Sequence, residues 1–142
     1  MAQRRRTRVG NAPAGGGRAR VRTEVAQVAA RLMAEEGVPG FAEAKSRAAD
    51  QLGVHGRQAM PRNDEIEAEL RAYQALFQAD EQPVWLDRMR RVALDIMDLL
   101  APFSPRLVGS VLRGTAAREA EITLHVFADP PEAVATFLYD HQ

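Results

Sequence analysis

Apolar residues recur every three or four positions in several stretches of the first hundred residues, which is the pattern of amphipathic helices. The spacing predicts one helix over 24–36 and a second over 41–52. Gly37 and Gly53 follow these stretches, and glycine commonly ends a helix because it adopts a left-handed conformation without strain. A third helix is predicted to begin at Asn63, whose side chain suits the capping position. The first hundred residues are therefore expected to be mainly helical.

A fourth helix is predicted after Pro83, and its apolar stripe is the most regular in the chain. The stripe steps by four, three, four, three and four residues through Trp85, Met89, Val92, Ile96, Leu99 and Phe103. A stripe with this spacing usually faces the protein core, so these side chains are expected to be buried. Pro102 and Pro105 are expected to end the helix.

Beyond Pro105 the pattern changes from helical to extended. Residues 106–110 predict a short apolar strand, and residues 121–127 alternate strictly between apolar and polar. This alternation places three side chains on each face of the strand: Ile122, Leu124 and Val126 on one, and Glu121, Thr123 and His125 on the other. A last helix is predicted to start within residues 129–132, with Pro131 early and Glu132 in its first turn. The expected fold class is α+β, with an N-terminal bundle of about four helices followed by a small pair of strands and a C-terminal helix.

Charge is unevenly distributed along the chain. The 19 basic and 19 acidic residues give a formal net charge of zero, yet residues 1–22 contain seven arginines and no acid. This composition, with three consecutive glycines at 15–17, predicts a disordered basic arm over 1–22. The remainder divides into a helical region over 23–101 and a small αβ core over 102–142. The arm could contact nucleic acid through non-specific phosphate interactions.

Composition also excludes several classes of chemistry. The chain has no cysteine, which excludes disulfides, thiolate metal ligands and cysteine nucleophiles. No apolar run approaches the roughly twenty residues that a membrane helix needs. The N-terminal arginines are not followed by the apolar stretch of a secretory signal. A cytoplasmic protein without a membrane partner is therefore expected.

The connection between the two predicted strands contains the residues best suited to chemistry. Gly109-Ser110 ends the first strand, Arg113-Gly114 follows in a polar stretch, and Glu121 stands eleven residues after Ser110. This arrangement resembles the nucleotidyltransferase superfamily with the polymerase-beta-like fold, in its small bacterial form. That family has an apolar strand, Gly-Ser, an internal Arg-Gly, and then Ser-Asp-x-Asp-Leu on the next strand. Residues 120–124 occupy the place of the last motif.

The resemblance implies a site that binds a nucleoside triphosphate with Mg²⁺ or Mn²⁺. Four residues would bind the nucleotide: Gly109, Ser110, Arg113 and Gly114. Glu121 would be the catalytic carboxylate and a metal ligand, and His125 on the same strand face could be a second metal ligand. The motif is degenerate, because Glu121 replaces the first aspartate and Thr123 replaces the second. Losing one carboxylate removes much of the charge that holds the metal, so the fold is implied more strongly than the activity.

Two other hypotheses remain open. The chain could be a non-catalytic interaction or regulatory protein whose helical region binds a protein partner. It could also bind DNA, since residues 48–54 are similar to the first helix and turn of a helix-turn-helix. Against DNA binding, Pro61 interrupts the turn and the next helix begins with acidic residues that would repel phosphates. In the nucleotidyltransferase family a third strand follows the last helix. Either this chain is part of a longer protein, which its abrupt end favours, or its sheet is reduced to a hairpin covered by helices.

Overall fold

The computed structural model of the chain describes residues 14–57 and 60–142. Within these ranges the chain forms six α-helices, one 3₁₀ turn and two short strands, so the fold class is α+β. In chain order the elements are α1 (Ala14–Glu35), α2 (Phe41–Leu52), α3 (Asn63–Phe77), α4 (Gln82–Leu99), the 3₁₀ turn (Ala101–Phe103), β1 (Arg106–Val108), α5 (Gly109–Arg113), β2 (Thr123–His125) and α6 (Glu132–Asp140).

The helical half of the molecule is built on α1, which packs against both α2 and α3. Small and branched apolar side chains fill the space between the three helices: Val25, Ala26, Ala29, Ala30, Leu32, Met33, Ala34, Val38, Ala44, Ala48, Ile66 and Leu70. Many of these residues are alanines, which allow helices to approach closely. Burial of this apolar surface is the main favourable contribution to the stability of this half.

Helices α2 and α3 begin where the sequence predicts, and α2 also ends there. Gly53 follows α2 in the left-handed conformation, with φ of 63°, and its amide donates to carbonyls in the last turn of that helix. The cap of α3 differs from the prediction. Arg62 rather than Asn63 occupies the capping position, and the Glu65 carboxylate accepts a hydrogen bond from the Arg62 amide at 2.6 Å.

Helix α1 begins ten residues earlier than predicted. The prediction of a disordered arm is therefore wrong for residues 14–22. Residues 14–22 are helical, including the glycine run, while residues 1–13 of the predicted arm lie outside the described residues. Tertiary contacts anchor the last two residues of the extension, because Val21 packs against the core. Arg22 donates two hydrogen bonds to Glu65 of α3, at 2.7 and 2.9 Å. Residues 15–20, which include the glycine run, are exposed.

The apolar stripe of α4 is not the buried face of that helix, contrary to the prediction. The buried residues are Gln82, Ala93 and, just after the helix, Leu100, whereas Val92 and Leu99 are both 43% exposed. Trp85, Met89 and Ile96 are half-buried. The helix is rotated about its axis relative to the prediction, so that Gln82, Trp85 and Arg90 reach the backbone of residues 111–116.

The two strands pair in antiparallel orientation and are shorter than predicted. Arg106 lies opposite His125, and Val108 lies opposite Thr123. Gly109 and Ser110 belong to α5 rather than to β1, and Glu121 precedes β2. The predicted alternation around β2 is confirmed, since its apolar side chains are half-buried and its polar side chains are exposed. A two-stranded sheet of this size depends on the helices around it for stability.

Helix α6 begins at Glu132, at the end of the stretch predicted to start it, and contacts the 3₁₀ turn after α4 through aromatic side chains. The Phe137 ring meets the Phe103 ring edge to face, with centroids 5.2 Å apart. The Phe127 amide donates to the Phe103 carbonyl at 2.9 Å. Along the ranges 14–57 and 60–142, no helix combines the length and apolar character needed to cross a membrane.

The Arg22–Glu65 contact predicts a pH-dependent contribution to stability. The hydrogen bond from Arg22, and then that from the Arg62 backbone, lower the pKa of Glu65 from its ordinary value of 4.5. A carboxyl group with a lowered pKa in the folded state stabilises the protein above its ordinary pKa, and that stabilisation is lost as the pH falls through the lowered value. Glu65→Gln should therefore be less stable than the wild type at neutral pH, and the difference should shrink below pH 4.5.

Urea unfolding over a series of pH values measures this difference. Asp80→Asn is a suitable control, because it removes an exposed carboxylate that has no ion pair within the described part of the chain. A stability difference for Glu65→Gln that stays constant down to strongly acidic pH would contradict the assignment.

Candidate functional site

Two glycines shape the segment that follows β1. Gly109 has φ of 79° and turns the chain directly from β1 into the single turn and a half of α5. Gly114 ends α5 with φ of 83°, and its amide donates to the Ser110 carbonyl at 2.9 Å. Both conformations lie in the left-handed region, where a residue with a Cβ would be strained. The backbone conformation therefore favours glycine at both positions.

Six consecutive backbone carbonyls, from Val111 to Ala116, each accept a hydrogen bond from a side chain of α3 or α4. We call this set of hydrogen bonds the carbonyl clamp. In chain order the carbonyls of residues 111–116 accept from Arg90 Nε at 3.0 Å, Arg90 Nη2 at 3.0 Å, Arg71 Nη2 at 2.7 Å, Gln82 Nε2 at 3.0 Å, Gln74 Nε2 at 3.0 Å and Trp85 Nε1 at 2.9 Å.

The carbonyl clamp holds a segment in which three of the six residues are buried. Val111 and Ala116 are fully buried, and Thr115 is 4% exposed. A buried carbonyl without a partner costs about 1–3 kcal/mol, so an irregular segment can enter the interior only if donors meet it there. Side chains supply those donors here because the segment is neither helix nor strand beyond Arg113. The clamp thereby fixes the position of the Gly109-Ser110 turn.

A cleft of about 430 Å³ lies between this turn and the connection from α1 to α2. One wall is formed by residues 37–41, and the other by Gly109, Ser110, Arg113 and residues of the approach to β2. Four of the six predicted site residues line it: Gly109, Ser110, Arg113 and Glu121. These residues come from separate parts of the chain, and the fold brings them together on one concave surface.

The other two predicted site residues do not line the cleft. A Cβ built on Gly114 would come within 3.3 Å of Arg90 Nη2, so this glycine allows close packing of the clamp. His125 lies at the far end of β2, opposite Arg106. Residues 121 and 125 are four positions apart in an extended segment, which corresponds to about 13 Å along the chain. The geometry therefore does not bring Glu121 and His125 to one cleft.

Arg113 is held at the edge of the cleft by two partners that the sequence analysis did not identify. Its Nε lies 3.4 Å from Oε1 of Glu67, which also pairs with Arg71 at 3.3 Å. The guanidinium carbon lies 5.5 Å from the centroid of the Phe41 ring, within the range of a cation–π interaction. Phe41 itself lines the cleft. Because α2 and α5 are distant in sequence, spacing alone could not reveal this contact.

Glu119 is a second carboxylate in the cleft that the sequence analysis missed. It lies in the turn before β2 and lines the same surface as Glu121. The two acids are two residues apart, as the family's two aspartates are. The pair stands two positions before the place of the aspartates, which is at 121 and 123 in this chain. The two nearby acids in Glu119-Ala120-Glu121 could have indicated a second carboxylate. Matching the family motif to residues 120–124 left Glu119 outside it.

The oxygen donors of the cleft fit Mg²⁺ or Mn²⁺ when phosphates supply further ligands. Two carboxylates and the hydroxyls of Ser110 and Thr123 line the cleft. Magnesium in phosphate-binding sites is commonly held by one or two carboxylates plus the phosphates of the ligand. No group of three or more histidine, aspartate or glutamate side chains that could hold an ion by itself occurs in the described ranges.

Comparison of the chain with protein-family models, curated proteins and solved structures finds no match.

The carbonyl clamp predicts a large cost for removing one of its buried donors. Gln74 is buried and is the donor to the Thr115 carbonyl. Gln74→Leu preserves much of the side-chain volume but leaves that carbonyl unpaired, so the free energy of unfolding should fall by about 1–3 kcal/mol. Gln51→Leu, at an exposed position on α2, is the matched control and should change it by less than about 0.5 kcal/mol. Urea unfolding measures both, and equal effects would contradict a structural role for the clamp.

Proposed function

We propose that the cleft binds a nucleoside triphosphate together with Mg²⁺ or Mn²⁺, in a degenerate nucleotidyltransferase-like domain. The observation that carries this proposal is the convergence of Gly109, Ser110, Arg113 and Glu121 on one cleft. The order of strand, Gly-Ser turn, Arg-Gly and second strand also agrees with what the resemblance implies. Nucleotide binding, rather than nucleotide transfer, is the function proposed for this chain.

Phosphate recognition is assigned to the turn after β1 and to Arg113. Gly109 has no Cβ, and only Thr123 lies within 4 Å of where a Cβ would be, so a ligand can approach this part of the backbone closely. The Ser110 hydroxyl lines the same wall. The Arg113 side chain keeps 40% of its surface exposed despite its ion pair with Glu67. A guanidinium with free donors is well suited to phosphate oxygens.

Base recognition is assigned to the wall formed by residues 37–41. Phe41 and Val38 give this wall an apolar character, and the Phe41 ring lines the cleft. Stacking of a nucleobase on an aromatic ring is favourable and tolerates different bases, because every base has a π-face. This wall provides no obvious set of side-chain hydrogen-bond partners for one particular base. We therefore expect weak discrimination among ATP, GTP, CTP and UTP.

A divalent cation is needed because the cleft is acidic. Glu119 and Glu121 would repel a triphosphate, whereas Arg113 is partly neutralised by Glu67. A bound cation would bridge the carboxylates and the phosphate oxygens and would neutralise the charge between them. Glu121 is the motif carboxylate that would hold it, and Glu119 would assist. Thr123 stands where the family has its second aspartate and carries no charge, which is why transfer activity is not part of the proposal.

Isothermal titration of the four nucleoside triphosphates, with and without Mg²⁺ or Mn²⁺, tests the proposal. Glu121→Gln preserves the shape of the side chain but removes the charge that holds the cation. We expect metal-dependent binding to the wild type that is at least about tenfold weaker in Glu121→Gln, equivalent to about 1.4 kcal/mol. Glu119→Gln should produce a smaller loss.

Glu132→Gln serves as the control, since it removes an exposed carboxylate on α6 that does not line the cleft. Binding that persists unchanged in Glu121→Gln would contradict the role of this residue. Failure of the folded wild type to bind any of the four nucleotides would overturn the proposal as a whole.

A further inference from the structure

The outward face of α4 carries a continuous stripe that we call the outer stripe: Val84, Arg88, Val92, Asp95 and Leu99. At 100° per residue these five positions fall within an arc of about 80°, so they form one line along the helix. All five are exposed, with Val84 at 65% and Val92 and Leu99 at 43%. Three apolar side chains on one exposed helix face are more than scattered surface residues would give.

The charged residues of the outer stripe are not used inside the molecule. Within residues 14–57 and 60–142, Arg88 and Asp95 make no ion pair and no side-chain hydrogen bond. Their neighbours on α4 are engaged, because Arg90 belongs to the carbonyl clamp and Arg91 pairs with Asp87 at 2.8 Å. Arg88 and Asp95 are thus available for an intermolecular contact.

The order of residues in the outer stripe is symmetric about its centre. Val84 and Leu99 are equidistant from a point between residues 91 and 92, and so are Arg88 and Asp95. When the stripe is laid against a second copy in antiparallel orientation, each apolar end meets an apolar end. Each arginine then meets an aspartate of the other copy, and the two Val92 side chains meet near the axis. Such a two-fold contact is self-complementary, as isologous interfaces must be.

A parallel arrangement of the same two stripes would be unfavourable. Arg88 would then face Arg88 of the other copy, and Asp95 would face Asp95. Like charges placed opposite each other at an interface disfavour that arrangement strongly. The charge pattern therefore selects the antiparallel orientation.

We propose that two copies of this chain associate through antiparallel α4 helices, with Arg88 of each copy paired with Asp95 of the other. From Val84 to Leu99 the stripe spans about 22 Å, at 1.5 Å per residue. One helix pair of this length buries less surface than a standard stable interface, so the dimer is reversible and depends on concentration. The contact does not involve the cleft and is independent of nucleotide binding.

Sedimentation equilibrium over a wide range of protein concentration tests this arrangement by charge reversal. Arg88→Asp and Asp95→Arg each create two like-charge contacts per antiparallel dimer, so each should weaken the association at least about tenfold. The double variant Arg88→Asp/Asp95→Arg exchanges the two charges and should restore the wild-type association. Asp98→Arg is the matched control, because Asp98 is exposed on α4 but lies off the outer stripe, and it should leave association unchanged.

Thermal unfolding of each variant establishes that the monomer remains folded, which is expected because the substituted positions are exposed. A wild type that is monomeric at all concentrations would overturn the proposal. It would also be overturned by a dimer that the single reversals leave intact, or by one that the double variant fails to restore.

Discussion

The structure depends on pairing the carbonyls of residues 111–116, a segment in which Val111, Thr115 and Ala116 are buried. Residues 111–113 form the end of α5, and residues 114–116 continue without regular structure. Side chains of α3 and α4 donate to all six carbonyls of this segment. Because an unpaired buried carbonyl is costly, this requirement fixes the distance and rotation of both helices relative to the turn after β1. The cleft exists because that turn is held in place.

The same requirement explains why the most regular apolar pattern in the sequence was misleading. The presence and position of helices were predictable from the spacing of apolar residues and from the glycines that end the helices, as α2 illustrates. The identity of the buried side chains on α4 was not predictable in this way, because such a prediction assumes that an apolar stripe faces the interior. In this protein the interior also presents carbonyl oxygens, so Gln82 turns inward and Val92 outward. The extension of α1 was missed for a related reason: residues 21 and 22 are held by tertiary contacts, and a local pattern contains no information about the partner of Arg22, which lies 43 residues away.

Four of the six predicted site residues line the cleft, whereas Gly114 and His125 do not. The turn at Gly109 and Ser110 and the acid at Glu121 belong to one short segment, and they line one cleft. Phe41 could not be predicted, since it reaches the cleft only through the packing of α1, α2 and α3. His125 was included because it shares a strand face with Glu121. Two residues on the same strand face need not meet in one site, because each further residue on that face lies farther along the extended chain.

The distribution of arginine partners bears on the choice among functions. An arginine-rich chain suggests contact with phosphates, yet several of these guanidinium groups are committed within the molecule. Arg22 binds a carboxylate of α3, and Arg71 and Arg90 bind backbone carbonyls. Helix α3, which the DNA-binding hypothesis would have needed as a reader of the groove, presents acids at its start and packs on α1. Arg113, which lines the cleft, is positioned by an ion pair and an aromatic ring while part of its surface stays open. Arg71 and Arg90 therefore hold the backbone at the end of α5 and beyond it, and Arg22 holds the acidic start of α3, whereas Arg113 keeps part of its surface exposed at the cleft.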